Sequence, residues 1–145
     1  ADPMARSVAM SAMQAFHFIG LPEGELSLAQ AAVYLATAPK SNAIYRAWGK
    51  VKSAIGETGT LPVPLHIRNA PTRLMRDLGY AKGYKYAHDY EEAFTPQDHL
   101  PEKLQGNVYY SPTDRGYEKV IRERLTKWRR IREQAARDRK DEREE

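Results

Sequence analysis

Apolar residues occupy so much of positions 4–19 and 26–36 that neither stretch can fold as an ordinary surface helix. This constrains the chain more than any other feature. In the first stretch Met4, Val8, Ala12, Ala15 and Ile19 recur at helical spacing. Ala5, Ala9, Met13 and Phe16 widen that stripe, leaving Ser7, Ser11 and Gln14 as a narrow polar strip. Asp2 and Pro3 suit a helix entry, and Gly20 a stop. Beyond a turn at Leu21-Pro22-Glu23-Gly24, the pattern predicts a second helix from about Glu25 to Thr37. Leu28, Ala31, Ala32 and Leu35 line one side of it, Ala29, Val33 and Ala36 cover much of the rest, and Pro39 ends it. The alanines permit close approach of one helix to another.

The rest of the chain is punctuated differently. Ser41 is placed to cap a third helix running to about Ile55, with Ile44, Ala47, Trp48, Val51 and Ile55 as its apolar face and Arg46, Lys50, Lys52 and Ser53 facing water. A loop spans 56–64. One helical turn is expected at Leu65–Asn69, then a short helix over Ala70–Leu78 capped by Asn69, with Pro71 in its first turn, Gly79 at its end and Leu74, Met75 and Leu78 turned inward. Tyr80–Tyr90 reads as an ordered extended loop, Pro96–Gly106 as holding at most a short helical turn, and Asn107–Pro112 as extended, with room for a short strand. A last helix is expected from about Asp114, capped by Thr113 or Ser111, toward Arg139. Its apolar side is Tyr117, Val120, Ile121, Leu125, Trp128, Ile131 and Ala135, with Arg124 on the seam. The fold class is therefore all-α. One helical domain is expected over 1–136, followed by a charged tail at 137–145 that lacks an apolar anchor and should fray.

Composition narrows the function classes. The chain has 145 residues, enough for a real core, with 41% hydrophobic and 29% charged residues and a net charge of +4. A basic balance permits nucleic-acid contact without requiring it. There is no cysteine, so disulfides and thiolate-bound metals are excluded and a reducing, cytoplasmic compartment fits. No apolar run approaches a membrane span, and no signal peptide is expected. The opening Ala1-Asp2-Pro3 reads as a cut from a longer protein.

No catalytic constellation emerges. Gly56-Glu57-Thr58-Gly59-Thr60 lacks the lysine of a phosphate-binding loop, and no serine sits in a nucleophile elbow. His88-Asp89 could be half of a metal site or a base with its orienting carboxylate, but no His-x-x-x-His pair supports a metal, and a histidine hydrogen-bonded within a loop is the favoured account. Catalytic, cofactor and metal residues are accordingly all assigned as none.

Two surfaces are candidates for binding. Positions 62–89 interleave Arg68, Arg73, Arg76, Lys82 and Lys85 with Tyr80, Tyr84 and Tyr86, a mixture that suits single-stranded nucleic acid through phosphate contact and base stacking. Arg68, Arg73, Lys82 and Lys85 are the candidate nucleic-acid or partner contacts. The competing account packs the tyrosines under the loop and pairs the cations with Asp77 and Asp89. From Asp114 onward, twelve Lys/Arg face nine Asp/Glu, and this mixture reads as a solvated helix face. The wide apolar faces of the first two helices weigh more. One domain with so much loop has trouble burying them, and they mark self-association in closed symmetry. Met4, Val8, Ala12, Phe16, Leu28, Ala32 and Leu35 are the candidate interface residues.

Three blocks carry a resemblance. LSLAQAAVYLATAPKSNAIYRAWG (26–49), VPLHIRNAPTRLMRDLGYAKGYKYAHDY (63–90) and YYSPTDRGYEKVIRERL (109–125) resemble, in order, the C-terminal region of the RarA/MgsA family of AAA+ ATPases, relatives of the Werner-helicase-interacting protein. The tail after Trp128 lies outside the pattern, and Ala1-Asp2-Pro3 looks like family sequence just after the lid region. The resemblance implies an all-helical domain similar to clamp-loader collar domains that holds the parent together as a homotetramer. It further implies that the parent acts at stalled replication forks, has an ATPase stimulated by DNA, contacts single-stranded-DNA-binding protein, and is cytoplasmic and nucleoid-associated. ATP and Mg belong to the ATPase module that precedes this region, so no catalytic residue carries over.

Overall fold

A computed structural model describes residues 1–90 and 93–144, with side chains through Asp138. Among these residues there are five α-helices and no strand: α1 (Ala5–Ile19), α2 (Glu25–Thr37), α3 (Ala43–Thr58), α4 (Arg73–Asp77) and α5 (Glu118–Glu144). Short 3-10 turns at Leu65–Ile67, Ala87–Asp89 and Glu102–Leu104 punctuate the long stretch between α3 and α5. Where sequence patterning led to one domain over 1–136, the backbone packs as two compact units. One comprises Ala1–Arg46 and Tyr110–Glu123, the other Ala47–Tyr109 and Arg124–Glu145.

In the first unit α1 and α2 form an antiparallel hairpin. Ala12 and Ala31 are buried at its seam, where their small side chains let the helices approach. The entry is wired by Asp2. Its carboxylate accepts from the Met4 backbone N–H (2.8 Å), as suits a residue at a helix entry, and from the Tyr34 hydroxyl near the end of α2 (2.8 Å); the regular helix begins at Ala5. The hydrogen bond from Tyr34 is the main reason the Asp2 carboxyl is held below its ordinary value. At the turn, Gly24 donates to the Gly20 carbonyl (2.7 Å). A Cβ on Gly24 would lie 2.5 Å from that oxygen, so only glycine fits. The Lys40 ammonium reaches back to the Leu35 and Ala38 carbonyls at the end of α2, where a cation suits the helix dipole.

The starts of α3 and α5 meet at Glu118, which is only 4% exposed. Its Oε2 accepts from the Ser41 hydroxyl (2.9 Å), the Thr113 N–H (2.8 Å) and the Thr113 hydroxyl (2.8 Å). Ser41 Oγ in turn accepts from the Ala43 N–H (3.1 Å) at the start of α3, as its sequence position implied. Burial pushes the Glu118 carboxyl up. The hydrogen bonds from Thr113 and Ser41 outweigh that penalty, and the group is held below its ordinary value. α5 begins four residues later than the pattern suggested. Gly116 sits at φ 50° against Pro39 and the Ala1 carbonyl, a left-handed conformation that no helix can contain.

In the second unit α4 is shorter than expected and is capped by Thr72, whose hydroxyl accepts from the Met75 N–H (3.3 Å). Pro71 precedes the cap instead of opening the helix. Gly79 closes α4 as expected, at φ 82°, donating to the Arg76 carbonyl while Tyr80 donates to that of Met75. α5 is the long C-terminal helix. Leu125, Trp128, Ile131 and Ala135 form its half-buried side, and Trp128 stacks on Phe94 with ring centroids 5.2 Å apart. Its backbone continues to Glu144, past the end expected near Arg139. Asn107–Pro112 is extended without pairing as a strand.

Candidate functional site

The feature that most sets this chain apart is what it leaves uncovered. Among the described residues no large side chain is fully buried, and the buried apolar residues are the alanines Ala12, Ala31 and Ala43. The accessible surface is 11659 Å². Two separate compact bodies of these sizes would together expose only about 9,000 Å². Many large apolar side chains are among the exposed residues. In the hairpin, Phe18 is 94% exposed, Leu26 75% and Val33 66%. A groove of about 300 Å³ between α1 and α2, lined by Ser7, Ser11, Ala15, Ser27 and Gln30, adds a concave surface beside them.

The candidate interface residues divide. Met4, Leu28, Ala32 and Leu35 are exposed. Val8 and Phe16 are half-buried, and Ala12 is buried in the hairpin seam, where it serves the α1–α2 contact at the floor of the groove. The periodicity argument missed Met10, Phe18, Leu26 and Val33, which are also exposed. The signal for them was already present: a helix apolar on nearly every side must leave some apolar face open once one neighbour is seated.

α3 agrees with its expected apolar face at Ala47 and Val51 and departs from it at Ile44, Trp48 and Ile55. Its less exposed residues are Ala43, Ala47, Val51, Ala54 and Thr58, small residues at helical spacing. Ile44, Trp48 and Ile55, expected to face the core, are more than half exposed, and Tyr45 beside them is 81% exposed. α4 shows the same reversal, with Leu74 and Leu78 exposed and Met75 half-buried.

The basic loop is largely engaged within itself. Arg68 donates through Nε to the Val63 carbonyl (2.6 Å) and through a terminal nitrogen to the Tyr80 hydroxyl (3.2 Å), and its guanidinium lies 5.1 Å from the Tyr80 ring centroid. Lys85 lies over the Tyr90 ring. Arg73 pairs loosely with Asp77 one turn away (4.0 Å). Lys82 is exposed, as are Tyr84 and Tyr86. Of the four candidate contacts, two are thus committed to aromatic rings of the same unit. A hydrogen bond from the Ala81 N–H to the Leu65 carbonyl (3.0 Å), and another from the Gln97 amide to the Gly83 carbonyl (3.1 Å), tie the segment down.

His88 and Asp89 sit exposed in a 3-10 turn, with His88 against the Tyr86 ring (centroids 5.0 Å). No group of three metal-ligating side chains occurs among the described residues, and no described helix is long and apolar enough to cross a membrane. Glu91 and Glu92, adjacent carboxylates in the sequence, lie outside the described residues.

The class these observations define is an all-α domain whose distinguishing property is uncovered apolar helix surface. Comparison with known proteins makes the assignment specific. The family described as MgsA AAA+ ATPase C terminal matches residues 1–129, and the chain belongs to it. It is similar to the replication-associated recombination protein A of Coxiella burnetii (50% identity over 135 residues, 92% of this chain and 31% of that protein) and of Haemophilus influenzae (45% over 135 residues, 92% and 30%). It is also similar to ATPase WRNIP1 of Dictyostelium discoideum (38% over 111 residues, 76% and 13%). The chain spans under a third of the length of these relatives.

Proposed function

We propose that this chain is a self-association and scaffold domain, assembling as a homotetramer and holding together a AAA+ ATPase that serves DNA replication, recombination and repair at stalled forks. The observation that supports it is the uncovered apolar surface of the hairpin, where Phe18, Leu26 and Val33 stand exposed, on a chain whose total surface exceeds that of two compact bodies by roughly 2,500 Å². An obligate assembly interface buries about 2,000–5,000 Å² in total, of the kind of apolar surface seen here. ATP and Mg would bind in a separate ATPase module of the parent, and hydrolysis there would be stimulated by DNA. Single-stranded-DNA-binding protein would be a partner of the intact protein, in the cytoplasm at the nucleoid. This domain would contribute no catalytic residue, only the geometry that sets ATPase modules side by side.

Sedimentation equilibrium of the chain tests the proposal. A tetramer, or a dimer–tetramer equilibrium, is the expected result at tens of micromolar protein. A monomer across that range would remove it.

A further inference from the structure

We propose, on the reading that the hairpin is a self-association surface, that Met10 and Met13 of α1 form an oxidation site at which a hydroperoxide converts both thioethers to sulfoxides and opens the assembly. The chain has no cysteine and four methionines, so thioethers are its only sulfur and are among its side chains most open to peroxide. Three of the four, Met4, Met10 and Met13, lie on α1 or at its entry, and they are 55%, 48% and 42% exposed. Met75, on α4, is half-buried. Helical spacing places Met10 and Met13 about one turn apart, on the side of α1 turned away from Ala12 and the α2 seam. Arg6, Gln14 and His17 flank them, and all three are exposed. Met4 instead lines the groove between α1 and α2, beside Ser7 and Ser11.

An apolar centre inside a polar rim is the pattern of a protein contact, and methionine is enriched in such centres. The occupant is the hairpin of a second copy, because Phe18, Leu26 and Val33 continue the uncovered apolar surface on the same two helices. An unbranched, polarisable side chain adapts well to a contact of this kind. Its sulfur is also the point of attack. A lone pair of Sδ takes one oxygen from the hydroperoxide. An S–O bond forms as the O–O bond breaks, the thioether is oxidised by two electrons, and the hydroperoxide is reduced to water or an alcohol. The product carries a strongly polar S=O group that holds water, and stripping that water opposes association. The contact covers both sulfurs, so the assembled form reacts more slowly than the free chain, and each oxidised copy is kept from returning.

The test treats the whole chain with hydrogen peroxide, maps the sulfoxides by peptide mass spectrometry and follows assembly by sedimentation. Met10 and Met13 should oxidise faster than Met75, and more slowly as protein concentration rises. Their oxidation should raise the concentration at half-assembly at least about tenfold. Methionine sulfoxide reductases of both epimer specificities, added together, should restore it. That reversal separates sulfoxidation from damage at the exposed Trp48, which these enzymes do not repair. Met10→Leu with Met13→Leu should assemble as the parent does and resist peroxide. Met4→Leu with Met75→Leu should remain fully sensitive. Assembly that persists with both sulfurs oxidised, oxidation rates indifferent to protein concentration, or equal sensitivity of the two double variants overturns the proposal and leaves self-association standing. An untreated chain that sediments as a monomer removes self-association itself, and the role of the oxidation site with it.

Discussion

The α1–α2 hairpin and the Pro62–Asp89 segment are opposite solutions to the same problem of ordering a chain. The hairpin is regular. Its backbone bonds are satisfied inside two helices, and its seam needs little more than Ala12 and Ala31, yet it leaves Phe18, Leu26 and Val33 in water. The Pro62–Asp89 segment is irregular, with one five-residue helix. It nevertheless closes on itself through Arg68 and Tyr80, the Gly79 cap and the Ala81–Leu65 bond. The difference teaches where partners should be sought. Regular structure with uncovered apolar area asks for another surface, because hydrophobic burial is non-directional and any matching face will serve. Cations and tyrosines with their bonds already made ask for little.

The comparison would break most visibly at the hairpin. Phe18→Asp combined with Leu26→Asp and Val33→Asp should convert the assembled form to monomer in sedimentation, since each apolar side chain removed from an interface forfeits about 1.5–3 kcal/mol. If the assembly survives unchanged, the hairpin is not the interface. The next effect is internal to the first unit. Glu118→Ala should lower stability by about 2–3 kcal/mol in chemical denaturation, because three donors lose a charged acceptor in a buried place. Glu118→Gln should recover part of it.

The same carboxyl predicts a pH dependence. Its value in the folded chain lies below the ordinary 4.5, so its contribution is complete above about that pH and is lost as pH falls through the lower folded value. A melting-temperature profile of the native chain should bend downward on the acid side, and the bend should be smaller in Glu118→Gln. In the loop, Arg68→Ala should cost about 1–2 kcal/mol through the lost Val63 and Tyr80 contacts, with oligomeric state unchanged. A shift in sedimentation for this variant would erase the contrast between the two regions. The smallest effect belongs to Arg73→Ala. Its pair with Asp77 is exposed on both sides and is worth about 0–0.5 kcal/mol.

Much of the fold was legible before any coordinate. The bounds of α2 follow from Pro39 and the Gly24 turn, and the end of α1 from Gly20, because these residues act locally through backbone geometry. The caps were harder. Asn69 and Thr72 are both good N-caps, and the choice went to Thr72, which lies beyond the proline. The start of α5 was misplaced because Gly116 takes a left-handed conformation, packed against Pro39 and Ala1, residues far away in sequence.

Orientation was the real gap. On α3 the pattern singles out Ile44, Ala47, Trp48, Val51 and Ile55 as the apolar side; Ala47 and Val51 are indeed among its less exposed residues, with Ala43 and Ala54, but Ile44, Trp48 and Ile55 are more than half exposed. Periodicity reports that a helix has an apolar face and cannot report whether that face is covered by its own chain or by another copy. The candidate interface shows the same limit, since Ala12 is indistinguishable in sequence from Ala32, though one is buried in the seam and the other is exposed.

By itself, then, the sequence determined the all-helical class, the positions of the main breaks, and the family membership that its three blocks carry. Those depend on local backbone preference and on residue identity, both of which are written along the chain. Tertiary structure alone decided which apolar residues remain uncovered, that Glu118 gathers the starts of α3 and α5, and that Arg68 and Lys85 are committed to tyrosine rings. These depend on which distant segments meet, and burial and hydrogen bonding between distant segments have no signature in local pattern.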